Sequence, residues 1–81
     1  MERPAAEDSL LSALKALRSE LARAENVPAY VVFSNAVLTD MAVKKPQTME
    51  EFLEVSGVGQ VKAARYGEKF LREIAAYQNR D

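Results

Sequence analysis

The chain has 81 residues, of which 48% are hydrophobic, 11 are lysine or arginine and 12 are aspartate or glutamate. A chain of this length has room for one hydrophobic core and therefore for one domain. It contains no cysteine and no histidine, which excludes disulfides, thiolate nucleophiles, imidazole bases and nearly every zinc site. We therefore expect a non-catalytic domain that holds no metal and no other cofactor.

The charge and the hydropathy pattern limit the partners of such a domain. A net charge of −1 creates no overall positive field, so any nucleic-acid site must be a local basic patch. No apolar run approaches the ~20 residues of a membrane span, and the first residues lack the apolar core of a signal peptide. We expect an intracellular domain over residues 9–78 without a membrane partner, a flexible lead-in over 1–8 and a tail over 79–81.

The first predicted helix spans about residues 9–24. Leucines recur at three- and four-residue spacing, and Asp8 or Ser9 can cap the start; the leucines are Leu10, Leu14, Leu17 and Leu21. The polar face carries Lys15, Arg18, Ser19 and Arg23.

An apolar segment that contains Pro28 follows over residues 26–33. Pro28 forces Val27 out of the helical region, so an extended loop is favoured, with room for one helical turn. The ring of Tyr30 in this segment can be buried or can lie on the surface, where a base could stack on it. Its apolar neighbours favour burial.

Two further helices are predicted before the glycine pair. Ser34 or Asn35 caps a helix that ends at Lys44-Lys45-Pro46, with Val37, Leu38, Met41 and Ala42 inside. Thr48 and Glu51 form a capping box that opens a short helix containing Phe52, Leu53 and Val55. The acidic group of Glu50, Glu51 and Glu54 lacks a convergent partner and does not indicate an active site.

The last helix runs from Gln60 to Tyr77, and Gly67 marks a bend or a boundary in it. Its apolar positions are Val61, Ala64, Phe70, Leu71, Ile74 and Tyr77. The pattern predicts an all-α, compact orthogonal bundle of four helices, or of five if Gly67 divides the last one.

The segment from Leu53 to Ala63 has the Gly-hydrophobic-Gly pattern of a helix-hairpin-helix. Gly57 and Gly59 let the backbone turn, and the free amides of the next helix can receive a phosphate beside Lys62. Glycines that only permit a tight turn explain the pattern equally well. Lys62, Arg65, Lys69 and Arg72 share one helix face, although Glu68 and Glu73 can neutralise part of this stripe.

The leucine-rich first helix, the Val27-Pro28-Ala29-Tyr30 loop, the Gly57-Val58-Gly59 hairpin and Tyr66-Gly67 together resemble the HRDC domain, named for helicase and RNase D C-terminal. The resemblance covers about Leu10 to Tyr77, and the loop is closer to the RecQ-helicase branch. It implies a five-helix bundle that assists a helicase core by binding single-stranded or branched DNA weakly. A second implied role is contact with another protein or domain.

The resemblance also implies site residues. The exposed aromatic residue of the family's loop corresponds to Tyr30, and Ala29 stands where the family usually has a second proline. We expect the site to combine Tyr30 with the cations after the second predicted helix and with residues around the hairpin, namely Lys44, Lys45, Gly57, Gly59, Lys62 and Arg65.

Overall fold

Five α-helices follow one another in the computed structural model, which describes residues 6–78. They are α1 (Ala6–Glu25), α2 (Ala29–Val32), α3 (Asn35–Lys44), α4 (Met49–Phe52) and α5 (Gln60–Gln78). Within the described range there is no strand, which confirms the predicted all-α bundle of about five helices. Residues 1–5 of the expected lead-in and the expected tail over 79–81 lie outside this range.

Helix α1 begins at Ala6, three residues before the predicted start. Asp8 and Ser9 therefore lie inside the helix, and the expectation that one of them caps it is wrong. Alanine has the highest intrinsic helix propensity, so a helix that packs through Leu10 extends readily to Ala6. Leu10 and Leu14 are fully buried, as the leucine spacing predicted.

The end of α1 is a Schellman turn. Asn26 has φ 60°, and its amide donates to the Arg23 carbonyl at 3.1 Å. The Val27 amide donates to the Ala22 carbonyl at 3.0 Å. Asparagine tolerates this left-handed conformation better than most residues do, so the turn directs the chain into α2 at a defined angle.

The fifth helix comes from the Pro28 segment and not from a division at Gly67. Residues 29–32 form the single helical turn that the sequence left open, while α5 runs without interruption through Gly67. A Cβ atom at Gly67 would lie 2.9 Å from Met49 Cε and 3.4 Å from Phe52 Cδ2. Gly67 thus permits the close approach of α4 to α5, and its predicted role as a boundary is wrong.

The caps of α3 and α4 follow the sequence with one difference. Ser34 Oγ accepts from the Val37 amide at 3.3 Å, and Thr48 Oγ1 accepts from the Glu51 amide at 3.1 Å. In a full capping box Glu51 would bond the Thr48 amide. Its Oε1 accepts from the Gln47 amide instead, at 2.7 Å, so the box is shifted by one residue.

Helix α4 is shorter than predicted. It ends at Phe52, and Leu53 and Val55 lie in the turns that follow. The Glu54 amide donates to the Glu51 carbonyl and the Val55 amide to the Phe52 carbonyl, at 3.0 and 3.1 Å. These three-residue spacings are those of a 3₁₀ turn, which winds more tightly than an α-helix.

Aromatic rings form the centre of the core. Phe33 packs edge to face against Phe52, Tyr66 and Phe70, with ring centroids 6.1, 5.9 and 5.2 Å apart. These contacts join the segment after α2 to α4 and α5, and this geometry is the favoured one for aromatic pairs.

The buried face of α5 differs from the predicted one. It consists of Ala63, Tyr66, Gly67, Phe70 and Ile74, whereas Val61 is 78% exposed and Ala64 is also exposed. Val61 precedes Phe70 by nine residues, or about two and a half turns, so it points to the opposite side of the helix. None of the helices within residues 6–78 has the length and apolar content needed to cross a membrane.

Candidate nucleic-acid interface

Tyr30 projects from the single turn of α2. Its side chain is 70% exposed, and Val31 beside it is 37% exposed. Val32 and Phe33 are buried, so the inward positions of this short segment are already occupied. The burial of Tyr30 that its neighbours favoured is therefore wrong, and the exposed position that the resemblance implied is confirmed.

Arg18 of α1 ties down the junction between α2 and α3. Its Nη1 donates to the Phe33 carbonyl at 3.0 Å and to Asn35 Oδ1 at 2.8 Å, while its Nε is buried without a hydrogen-bond partner. Sequence reasoning placed Arg18 on the polar face of helix one and gave no sign of this contact. Because Tyr30 lies three residues before Phe33, the junction limits where its ring can lie.

Lys44 is held by an acidic side chain and by the turn after α4. Its Nζ lies 3.0 Å from Asp40 Oδ2 and donates to the Glu54 carbonyl at 3.1 Å. Asp40 Oδ2 also accepts from the Ser56 amide at 2.9 Å. This backbone bond, and then Lys44, hold the pKa of Asp40 below its usual value, so Lys44 sits beside an ionised carboxylate.

Lys45 and Lys62 are both half-buried. Lys45 is the left-handed C-cap of α3, and its amide donates to the Met41 carbonyl at 2.8 Å. Its own carbonyl accepts from Gln47 Nε2 at 3.0 Å. Lys62 lies in the first turn of α5, directly after the glycine pair.

The two glycines of the hairpin differ. Gly57 has φ +88°, and a Cβ atom there would lie 2.6 Å from Val37 Cγ2, so the turn requires glycine. Gly59 does not have a positive φ, and a Cβ atom there would meet nothing within 4 Å. The expectation that both positions need glycine geometry is wrong for Gly59. This residue directly precedes α5 and has open space around it.

Arg65 forms a fork with Glu25, the last residue of α1. Arg65 Nη2 lies 3.2 Å from Glu25 Oε1, and Arg65 Nε donates to Oε2 at 3.3 Å. The Tyr66 hydroxyl donates to Glu25 Oε1 at 2.7 Å, and the Arg65 guanidinium lies 5.6 Å from the centre of the Tyr66 ring.

The Tyr66 hydroxyl is the first cause of a lowered pKa of Glu25, and Arg65 adds to it. The same bond and burial raise the pKa of Tyr66. Because Glu25 and Arg65 are 40 residues apart, no local spacing could have revealed the pair.

The predicted basic stripe is partly neutralised, by one pair that was expected and by one that was not. Arg65 takes its partner from α1 and not from Glu68 or Glu73. Arg72 Nη2 lies 3.9 Å from Glu68 Oε2, with both side chains at least three-quarters exposed, which makes a weak pair.

The expected site residues fall into two groups in the structure. Arg65 contacts Glu25, and the Asn26 turn leads from Glu25 directly into α2 and Tyr30. Lys44 contacts the turn after α4, which leads to Gly57. Among the described residues, no group of His, Cys, Asp or Glu side chains is arranged to hold a metal ion.

Comparisons with known proteins agree on one family. A family model described as HRDC domain matches residues 7–74. The ATP-dependent DNA helicase RecQ of Bacillus subtilis is 44% identical over 70 residues, which are 86% of this chain and 12% of that protein. RecQ of Pasteurella multocida is 39% identical over 69 residues, 85% of this chain and 11% of that protein.

A solved structure shows the same fold. The third HRDC domain of D. radiodurans RecQ superposes with a TM-score of 0.88 at 36% identity, covering 91% of this chain and 97% of that one. The ATP-dependent DNA helicase UvrD2 of Mycobacterium tuberculosis is also similar, at 35% identity over 68 residues, 84% of this chain and 10% of that protein. The chain thus spans roughly a tenth of the length of these helicases.

Proposed function

The chain belongs to the HRDC domain family, and on that premise we propose that it is a non-catalytic accessory domain of an intracellular DNA helicase. In this role it binds single-stranded or branched DNA weakly and modulates which substrates the helicase core unwinds. The similarity to a short part of RecQ helicases supports the helicase context. A RecQ-type parent fits better than a UvrD-type parent because identity to the RecQ chains is higher.

The observation that carries the proposal is the exposed ring of Tyr30. A tyrosine that is 70% exposed on a short helix has a free face on which a base can stack. Such stacking is worth ~1 to 3 kcal/mol per base and tolerates any sequence. The Arg18 and Phe33 contacts hold the junction behind Tyr30 in place, which reduces the conformational entropy lost when a base binds.

The ion pairs of two expected site cations limit the affinity. Lys44 and Arg65 already contact Asp40 and Glu25, so these two cations release fewer counterions on binding DNA than unpaired ones would. With at most ~3 phosphate contacts, the slope of log affinity against log salt is no steeper than about −2, and binding is micromolar or weaker. The open space at Gly59 beside Lys62 leaves room for one such contact.

Fluorescence anisotropy with a labelled oligothymidine at low salt tests the proposal. We expect Tyr30→Ala to weaken binding several-fold while the helical fold survives, and Tyr30→Phe to retain most of the affinity because the ring remains. Val43→Ala is the control, since Val43 is another exposed apolar residue, 59% accessible on α3. Absence of binding by the parent domain at high concentration would overturn the DNA proposal.

A protein-contact role is the second candidate, and the neighbouring exposed side chains of Tyr30 and Val31 favour it. Aromatic anchors that project from a surface are typical of protein interfaces. In that case the partner is the helicase core of the parent chain or another protein. This role would be favoured if the unmutated domain binds a purified helicase core but no DNA, and if Tyr30→Ala loses binding to that core.

A further inference from the structure

We propose that Glu25 competes with DNA phosphate for Arg65 and thereby holds the DNA affinity of this domain down. This inference rests on the proposed DNA binding and adds a residue that sets its strength. Glu25 itself carries a negative charge and is not expected to touch DNA favourably. Glu25 acts by bonding the Arg65 guanidinium, which is then less available to a phosphate.

The geometry of the pair is that of phosphate recognition. The Nη2 and Nε atoms of Arg65 face the two carboxylate oxygens of Glu25 at 3.2 and 3.3 Å. A guanidinium presents the same two parallel donors to a phosphate. The Arg65 side chain is 60% exposed, so a phosphate can approach it, but it can use the Nε–Nη2 edge only by displacing the carboxylate, and at the remaining donors it meets a guanidinium whose charge Glu25 already offsets.

Tyr66 keeps the competitor in place. Its hydroxyl donates to Glu25 Oε1 at 2.7 Å, and its ring is buried against Phe33, so the donor is held by the core. Lys69 adds a further attraction to the carboxylate. Glu25 therefore remains ionised and positioned at neutral pH even when Arg65 turns away.

The position of Glu25 in the chain adds to the effect. It is the last residue of α1, and only the Asn26 turn and Pro28 separate it from the helical turn that carries Tyr30. Where a strand stacked on Tyr30 runs past this end of α1, its phosphates come close to Glu25. There the carboxylate repels them as well as occupying Arg65.

Asp40 is a less suitable competitor, although it holds Lys44 in a similar way. Asp40 Oδ2 also accepts from the Ser56 backbone amide at 2.9 Å, so it fixes the turn that leads to Gly57. The same oxygen serves both the backbone amide and the lysine, so a change at Asp40 would not separate an effect on the hairpin from an effect on Lys44. Glu25 bonds the side chains of Arg65 and Tyr66, and a glutamine can still accept from the Tyr66 hydroxyl.

The test compares binding to labelled oligothymidine by fluorescence anisotropy over a range of salt concentrations. We expect Glu25→Gln to bind about two- to fivefold more tightly than the parent at low salt, the range that an exposed ion pair can supply. Its log-log salt slope should be steeper by about one, because one further phosphate contact forms. A damaged fold would not tighten binding, so the gain separates competition from a structural role.

Two variants complete the design. Glu20→Gln removes one exposed charge from the same helix and should change affinity much less than Glu25→Gln. The double variant Glu25→Gln with Arg65→Gln should lose the gain and bind no more tightly than the parent. If melting curves show that Glu25→Gln does not fold, Glu25→Ala replaces it.

Each result decides between the two proposals. If the parent binds and Glu25→Gln binds no more tightly than Glu20→Gln, competition is overturned and the DNA-binding function stands. If the parent shows no binding but Glu25→Gln binds, competition is supported and the proposed function fails for the natural chain. If no variant binds, both are overturned.

Discussion

The two single-turn helices of this domain, α2 and α4, differ in what holds them. Helix α4 has a Thr48 cap, two acidic residues in its first turn and a buried Phe52, so local signals define it. Helix α2 begins after Pro28 without a side-chain cap. It depends on Phe33, which is packed among three aromatic rings, and on Arg18 from another helix.

This difference explains where an exposed aromatic side chain can be placed. A four-residue helix is not stable alone, and α4 is fixed through its own cap and through the burial of Phe52. Because Val32 and the residues after α2 supply its anchor, Tyr30 and Val31 are left to face solvent. The exposed Tyr30 therefore belongs to the helix whose position depends on contacts made by other segments.

The largest expected effect separates the anchor of α2 from its exposed ring. Phe33→Ala removes contacts with Phe52, Tyr66 and Phe70 and should lower the free energy of unfolding by about 3 to 5 kcal/mol. Tyr30→Ala should change it by no more than about 0.5 kcal/mol, as for other surface positions. Urea unfolding followed by circular dichroism measures both. Similar losses in the two variants would show that the Tyr30 ring also supports the fold.

The turn after α4 offers a second contrast, between two glycines. Gly57→Ala places a Cβ atom at positive φ and 2.6 Å from Val37 Cγ2, so we expect a loss of about 1 to 3 kcal/mol. Gly59→Ala adds a Cβ atom in open space and should be neutral within about 0.5 kcal/mol. Thermal melts of the two variants test this. A large loss in Gly59→Ala would mean that this position also requires glycine.

The local support of α4 can be removed at its cap. Thr48→Ala deletes the oxygen that accepts from the Glu51 amide and should cost about 1 kcal/mol. Glu50→Gln, outside the cap, should cost only a few tenths through the helix dipole. Chemical denaturation resolves the difference. Equal, negligible losses would show that burial of Phe52 alone holds α4.

The smallest effect concerns the carboxylates that flank the two short helices, Glu25 before α2 and Asp40 beside the turn after α4. Both have lowered pKa values in the folded state. Their stabilisation is therefore present above the ordinary carboxyl pKa, including at neutral pH, and is lost as the pH falls through the lowered folded pKa. Glu25→Gln and Asp40→Asn should each flatten the acid limb of the stability curve. An unchanged limb in both would contradict the contribution of these hydrogen bonds.

Much of the fold could be predicted because its signals are local. Leucine spacing indicated α1, Ser34 and Thr48 were recognised as caps, and Gly57 lies at the turn that needed it. The errors have different origins. Gly67 was assigned to a bend or boundary because the approach of α4 to α5 does not show in a local pattern. The other two errors lie within one segment, since Val61 faces away from Phe70 on the same helix and Glu51 accepts from the amide of Gln47, next to Thr48.

The candidate site was predicted less completely than the fold. Resemblance to a family, and not spacing, indicated that Tyr30 is exposed. The pairing of Arg65 with Glu25 and of Lys44 with Asp40 changes how many cations remain for phosphate. Of these pairs, only Lys44 and Asp40 are neighbours on one helix. Even there, the Ser56 amide that also bonds Asp40 comes from a different segment.

The sequence by itself determined the helical class, the caps of α3 and α4 and the absence of cysteine and histidine, since these depend on residue type and on contacts within one turn. Only the tertiary structure decided which way Tyr30 points and which carboxylate neutralises Arg65. Those outcomes depend on side chains 15 to 40 residues apart. Such side chains meet only after the hydrophobic core has brought α1, α2 and α5 together.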